Sequence, residues 1–547
     1  MNPFGPRRPQ RSDAERQRRS QVEDCLARWA LLGRPRRLQA VPEAGLSEAG
    51  LGARLRGALT ELGPPFSAFG LYLASRIDLL AAIDALELAA LPGWVSPLPI
   101  DAFRERVAAE LGRPSGELYA VLEAEPFESR LLLQSHRGRL ASGEPVIVRL
   151  VRTDAEEEIQ ANLELLPLIG EALVAQGWTA AAAREVLADF RQSLREQVDL
   201  QAALQDLDLL AVDAEVFGRL VAPAVCRELT TARLITTADL GGLSFGIAVP
   251  DLRQPWGPAV DPRELVRSLC TVWLRQALAG RVFPVEVRAE DVRVLPDGRL
   301  GFQGVAFSRP PAAAQADLQE VVMAIAFRDP DAAGSALLRE MVREDGANSM
   351  EQLRTHLRQL VPFRDGSWSP SGESLAEHLF LYARTARACG YRPRRPLLEF
   401  CRGLFAVGLA GRRLAPAHDP LFEGLQDFRM LTGVSQVRDA MSFGNWGGQL
   451  DRYALLMAAL PQRLDEMLTL AAEGGARPAP PDTVRPSRRA ESSHLVLAAA
   501  LMVLAALALL LHHFVQVGAL AGWGETIAAV LFLTVGSLLL WILTRTG

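Results

Sequence analysis

Two apolar runs close this chain and constrain its architecture more than any other feature. Leu495 to Leu511 carries no polar side chain, and Ile527 to Leu543 is interrupted only by Thr534 and Ser537. At about 1.5 Å of rise per residue the first run covers roughly 26 Å as a helix, and Phe514 to Val517 extend it toward the roughly 30 Å hydrocarbon core of a bilayer. The pair predicts a transmembrane hairpin over 494–544. Arg485, Arg488 and Arg489 precede it and Arg545 follows it, whereas the connection from Gln516 to Glu525 holds no basic residue. The positive-inside rule then puts both ends, and the body ahead of residue 490, on the cytoplasmic side of an inner (cytoplasmic) membrane.

A body of that size exceeds what one hydrophobic core organises, so two or more lobes are expected. The formal net charge of -5 argues against a nucleic-acid-binding protein. Residues 1–40 depart from that average: Arg7, Arg8, Arg11, Arg16, Arg18 and Arg19 stand among Pro, Gln and Ser. They suggest a disordered basic arm, either solvated or lying near anionic headgroups at about 1 kcal/mol per charge. The segment lacks the apolar stretch of a secretory leader. Cys25, Cys226, Cys270, Cys389 and Cys401 show no metal-ligand spacing and read as reduced core thiols. His512 and His513 fall at the far end of the first span, so no metal site is expected. All 59 basic residues counted as Lys+Arg are arginine, which excludes any chemistry that needs a lysine ammonium.

Periodicity divides the body. Leu51 to Leu62 and Phe66 to Leu91 have helical spacing and are separated by Gly63-Pro64-Pro65, giving a helical section over 41–125. Short apolar runs at Arg130–Gln134 and Pro145–Val151, bridged by Ala141-Ser142-Gly143, predict a β-hairpin. Asp154 to Gln176 and Ala180 to Leu209 read as two long helices, followed by strand-like Ala224–Leu229 and Arg233–Thr237. A helix is predicted over Asp261–Leu278, and a second hairpin over Asp291–Leu295 and Arg299–Phe302 around the turn Pro296-Asp297-Gly298. After Pro311 the chain reads as helical to about Gly475, with a Gly/Pro-rich linker over 476–493. Gly50-Leu51-Gly52 and Gly241-Gly242 lack dinucleotide-binding context and read as turns.

This order of elements, with local sequence, resembles the UbiB/AarF family of atypical kinase-like proteins. Leu59 to Asp78 is similar to the family's opening signature of an ELGP segment, K-x-G-Q and S-x-R-x-D, with Ala74 replacing the serine while Arg76 and Asp78 match. Asp297 to Phe302 is similar to the hairpin ahead of the family's D-F-G motif, and Tyr391 to Pro416 resembles its late helical signature. The resemblance implies an α+β, mainly α, two-lobed protein-kinase-like fold with an N-terminal helical extension and a C-terminal two-helix transmembrane hairpin. The N-lobe would occupy 126–250 and the helical C-lobe 251–475.

The positions that carry catalysis in the family differ here. Ala68-Phe69-Gly70-Leu71 stands at K-x-G-Q, and Phe127 to Leu132 stands where an alanine-rich loop should cover nucleotide. Arg149 replaces the strand lysine, and a planar guanidinium is not a point-charge ammonium. Alignment over Glu196–Asp206 puts Ala203 at the lysine's glutamate partner, Glu286 at the catalytic aspartate, Asp291 at the following asparagine and Gly304 at the metal-binding aspartate. Phosphoryl transfer depends on positioning and on cations that neutralise developing charge.

The expectation is therefore a pseudokinase that needs no cofactor and has an accessory or regulatory binding role in isoprenoid-quinone (ubiquinone) or lipid metabolism. Expected partners are a membrane lipid or isoprenoid and quinone-biosynthesis enzymes, with a homodimer allowed. Tyr72, Trp94 and Phe103 are candidates for an apolar binding face, or for ordinary core. One alternative is a divergent active ATPase or kinase, with Arg149 on phosphate and the weak candidates Glu286 and Asp291 on magnesium. Another is a membrane scaffold whose hairpin packs on partners through Ala498, Ala505 and Gly536.

Overall fold

A computed structural model describes residues 13–32, 50–152, 156–245, 261–326, 330–344, 346–360 and 375–414. The predicted linker and transmembrane hairpin, 476–493 and 494–544, lie outside the described residues. Among the described residues no helix is long and apolar enough to cross a membrane.

The chain opens with helices α1 (Asp13–Arg28), α2 (Leu51–Leu62), α3 (Pro64–Ala74), α4 (Ala82–Ala89), α5 (Ile100–Leu111) and α6 (Ser115–Leu118). Strands β1 (Tyr119–Ser129), β2 (Leu133–Leu140) and β3 (Pro145–Val151) follow, then α7 (Glu156–Leu163), α8 (Leu166–Ala175), α9 (Ala180–Gln197) and α10 (Leu200–Phe217). Next come β4 (Leu220–Val221), β5 (Leu234–Ala238), β6 (Leu243–Ser244), α11 (Pro262–Ala279), β7 (Phe283–Pro284), β8 (Val292–Val294), β9 (Leu300–Phe302) and β10 (Phe307–Ser308). The described part ends with α12 (Ala312–Ala326), α13 (Pro330–Arg339), β11 (Met341–Arg343), α14 (Met350–Arg358), α15 (Leu375–Ala388), β12 (Tyr391–Pro393) and α16 (Arg395–Leu414).

The larger sheet is antiparallel in the order β1-β2-β3-β5, and a second runs β4-β9-β8-β6 with β4 parallel to β9. Apolar side chains form separate cores. Phe103, Val107, Tyr119, Val146 and Val148 pack between α5 and the larger sheet, while α1 to α4 share a core with α8 and α9. The largest core centres on α11, with Trp273 and Phe283 against Phe400 of α16.

Several predicted elements stand where the local chemistry put them. Asp261 caps α11 by accepting from the Arg263 N–H at 2.9 Å, with Pro262 in the first turn. Gly63, at φ 99, separates α2 from α3. The Asp297-Gly298 turn joins β8 to β9, with Gly298 at φ 80.

Other readings are corrected. Asp13–Arg28 is not a disordered arm: Val22, Cys25 and Leu26 are buried, and Arg18 donates to the Leu62 carbonyl at 2.8 Å and to Asn162 at 3.2 Å. The single helix read over Ala180–Leu209 is two, because Asp199 caps a new start by accepting from the Ala202 N–H at 3.0 Å. The helix read over Phe66–Leu91 breaks between α3 and α4, where Arg76 and Asp78 turn inward. The first hairpin pairs β2, not Arg130–Gln134, with β3, and β1 adds an outer strand.

His136 on β2 is fully buried against Phe103, with ring centroids 4.3 Å apart. Its Nε2 lies 2.8 Å from the Gln134 amide nitrogen and its Nδ1 2.8 Å from the Glu123 carbonyl. Those partners fit a neutral ring that accepts at Nε2 and donates at Nδ1. Burial pushes its pKa below the ordinary value. The unfolded chain therefore takes up the proton first, and stability falls as pH drops below about 6.5, by up to about 1.4 kcal/mol per pH unit until the folded ring protonates. We expect the loss of melting temperature between pH 7.5 and 5.5 to shrink in His136→Gln; an unchanged loss would assign the acid sensitivity elsewhere.

Candidate functional site

A cavity of about 490 Å³ opens between α3, the 91–95 segment, the end of β1, the loop from Val285 to Asp291, α9 and α16. One wall is apolar, formed by Leu71, Tyr72, Phe190, Leu194, Phe405 and Leu409. The lining also carries charge, with the Arg402 guanidinium 5.3 Å from the Tyr72 ring. Trp273 fixes the loop's start by donating its indole N–H to the Pro284 carbonyl at 2.9 Å, and β7 pairs with β10 beside it.

Glu286 and Asp291, the two candidate acids, both line this cavity. Neither stands free. Glu286 accepts from Gln197 at 3.1 Å and pairs with Arg402. Arg288, between the candidates in sequence, pairs with Glu128 at the end of β1 and approaches Glu286 at 3.5 Å and Asp291 at 3.6 Å. Arg130 adds a second cation to Glu128 at 3.1 Å. Gly93 makes room for it, since a Cβ there would fall 2.1 Å from the Arg130 guanidinium.

Arg149 directs its hydrogen bonds elsewhere than to these acids. Its guanidinium is fully buried, donating to Thr237 at 3.3 Å and to the Gln303 carbonyl. Burial lowers its pKa, with Asp291 and Asp239 opposing that shift. Ala203, the residue aligned with the glutamate partner, is buried on α10 and has no side-chain acceptor to offer.

Gln303 is itself fully buried and spans the stretch after β5. Its amide N–H donates to the Ala238 carbonyl at 3.1 Å, and its carbonyl accepts from the Leu240 N–H at 3.0 Å. Its backbone N–H reaches the Asp291 carbonyl at 2.8 Å. Gly304 follows, where an added Cβ would lie 3.6 Å from Asp291 Oδ2. Among the described residues no group of three ligands is arranged to hold a metal ion. Magnesium fits these groups poorly, because Gly304 offers no side-chain ligand and Arg288 already faces Asp291.

The helical extension approaches this site through α3. Ala68 and Leu71 line the cavity, whereas Phe69 and Gly70 turn into the extension's core. Glycine at 70 has a packing cause: a Cβ would fall 2.2 Å from Leu91 Cδ1 and 2.7 Å from Leu59 Cδ1. Of the three aromatic candidates, Tyr72 and Trp94 line the cavity, Trp94 being 53% exposed. Phe103 follows the other reading, ordinary core: it is buried beneath the larger sheet, against His136. Phe127 lies between the guanidinium of Arg137, 4.7 Å from its ring, and that of Arg293, 5.3 Å away. Sequence reasoning passed over Glu128, Arg288, Gln303 and Arg402; the one local signal was an arginine set among the acids of Val285 to Asp291.

Residues 91–336 match the ABC1 atypical kinase-like domain. A probable protein kinase UbiB from Xanthomonas euvesicatoria pv. vesicatoria is 31% identical over 319 residues, which are 55% of this chain and 56% of that protein. A probable protein kinase UbiB from Pseudomonas aeruginosa is 29% identical over 247 residues, 44% of this chain and 45% of the other. The chain thus spans about half the length of the curated relatives it matches. Among solved structures, that of the Rv3197–erythromycin complex from Mycobacterium tuberculosis aligns with a TM-score of 0.37 and 17% identity, over 56% of this chain and 77% of that one. Residues 91–336 thus match an ABC1 atypical kinase-like domain, and over about half its length the chain is similar to probable UbiB protein kinases.

Proposed function

We propose that this chain is a UbiB-like pseudokinase that acts by binding, as an accessory or regulatory protein of isoprenoid-quinone or other lipid metabolism. Its predicted hairpin would hold it at the inner membrane, and the apolar wall of the cavity would receive a lipid, an isoprenoid or a segment of a partner enzyme. The observation that carries the non-catalytic reading is the placement of Gln303 and Arg149. The Gln303 amide uses the carbonyl of the last residue of β5 and an N–H just beyond it, the donor and acceptor pair that an adenine edge would also seek. Arg149, at the position of the phosphate-pairing lysine, spends its donors on Thr237 and Gln303 instead.

The rival reading, a divergent ATPase, draws support from Glu286 and Asp291 sharing the cavity. Thermal unfolding of the full chain in detergent with magnesium-ATP separates the two. A ligand present at about one hundred times its dissociation constant stabilises the native state by about 2.7 kcal/mol. We expect no rise in melting temperature at millimolar magnesium-ATP; a saturable rise would favour the ATPase.

A further inference from the structure

The acids of the cleft are organised around a side chain rather than a ligand. Glu128 belongs to the larger sheet, while Glu286 and Asp291 belong to the loop ahead of β8, and a single guanidinium faces all three. Asp291 is the least satisfied of them. Its side chain is 7% exposed, its Oδ2 is buried without a hydrogen bond, and its nearest cation is Arg288 Nε at 3.6 Å. Arg130 also pairs with Glu128 and Arg402 with Glu286, whereas the ion pair of Asp291 is the one with Arg288.

We propose that Glu128, Glu286 and Asp291 form a cation site that the chain fills with its own Arg288, which ties the larger sheet to the loop without any bound ion. The site's preference is for a planar, multi-donor cation: the acids approach Nη1, Nη2 and Nε, positions that a compact ammonium cannot serve together. Removing the side chain leaves a guanidinium-sized vacancy walled by three carboxylates. Free methylguanidinium matches that vacancy in shape and charge.

The inference deepens the reading of the cleft as self-filled, yet its test uses no nucleotide, so failure of one leaves the other legible. The full chain in detergent is melted as the native protein and as Arg288→Ala, with methylguanidinium chloride or an equal concentration of sodium chloride. Arg288→Ala should melt several degrees lower, and methylguanidinium should restore part of that loss saturably while leaving the native protein without gain. A variant that melts with the native protein, or a methylguanidinium effect no larger than that of sodium chloride, overturns the proposal. Should Arg288→Ala not fold, Arg288→Lys carries the test. It should melt below the native protein, because its ammonium meets one acid at a time; equal melting would show that any cation suffices.

Discussion

Arg76→Leu is expected to destabilise the protein by about 3–5 kcal/mol, the usual cost of stranding buried charges by removing one partner. Arg76 is 2% exposed and makes a two-pronged pair with Asp78 at 2.8 and 2.9 Å. It also donates to Glu185 at 2.8 Å and Asp189 at 2.9 Å on α9. Glu185 passes the network on to Arg387 of α15 at 2.7 Å. Burial opposes the Arg76 charge, but Asp78 beside it, with Tyr72 and Glu185, holds its pKa well above the ordinary value. Burial already pushes the pKa of Asp189 up despite the arginine. With leucine at 76, the stranded carboxylates would gain protons more readily than in the unfolded chain. The deficit should then be largest near pH 8 and shrink toward pH 5, since protonation in the folded variant relieves the unpaired charge. Circular-dichroism melts of both proteins at the two pH values check this. Equal melting, or a deficit independent of pH, would mean that the turn after α3 does not need its ion pairs.

That network shows what the chain discloses and what it withholds. Arg76 and Asp78 were visible as two matched positions of a family signature, but their partners lie more than a hundred residues away on α9. Local chemistry was legible wherever it is self-contained: the Asp261 cap, the Gly63 break and the Asp297-Gly298 turn need only their neighbours. β1 was missed because Glu123, Glu125 and Pro126 interrupt its apolar alternation, and it pairs on one side with β2 through shifted register. The β11–β12 ribbon has three residues on each side, too few for a period to register. In the candidate site, Glu286 and Asp291 were named from alignment and the structure does bring them to one cavity. Arg288 was passed over because its partner Glu128 is 160 residues distant. Gln303 was passed over for the same reason, since its amide acts on a segment 63 to 66 residues earlier.

Trp273→Ala should cost about 3–5 kcal/mol and loosen the loop that carries the candidate acids, linking the deepest core to the cleft. Trp273 is fully buried on α11, 5.8 Å edge-on from Phe283 and 5.4 Å from Phe400. α16 is shaped around it, because a Cβ at Gly403 would fall 2.4 Å from Trp273 Cζ2. Its indole N–H also satisfies the Pro284 carbonyl at 2.9 Å, one residue before the loop begins. Two effects are therefore combined in the alanine variant: an empty volume beside Phe283 and Phe400, and a buried carbonyl without its donor. Trp273→Phe separates them. It keeps an aromatic ring in the core but removes the N–H, so it should lose a smaller amount, about 1–3 kcal/mol from the unmet carbonyl. Because that carbonyl anchors the loop, both variants should expose the bond after Arg288 to trypsin. Digestion well below the melting temperature, with the fragments weighed by mass spectrometry, would compare that cut with cuts elsewhere in the chain. Selective cleavage after Arg288 in both variants supports a loop held through Pro284. Faster cleavage everywhere, or none at Arg288, would show that Trp273 supports the core alone and that the acids keep their positions by the ion pairs of Arg288 and Arg402.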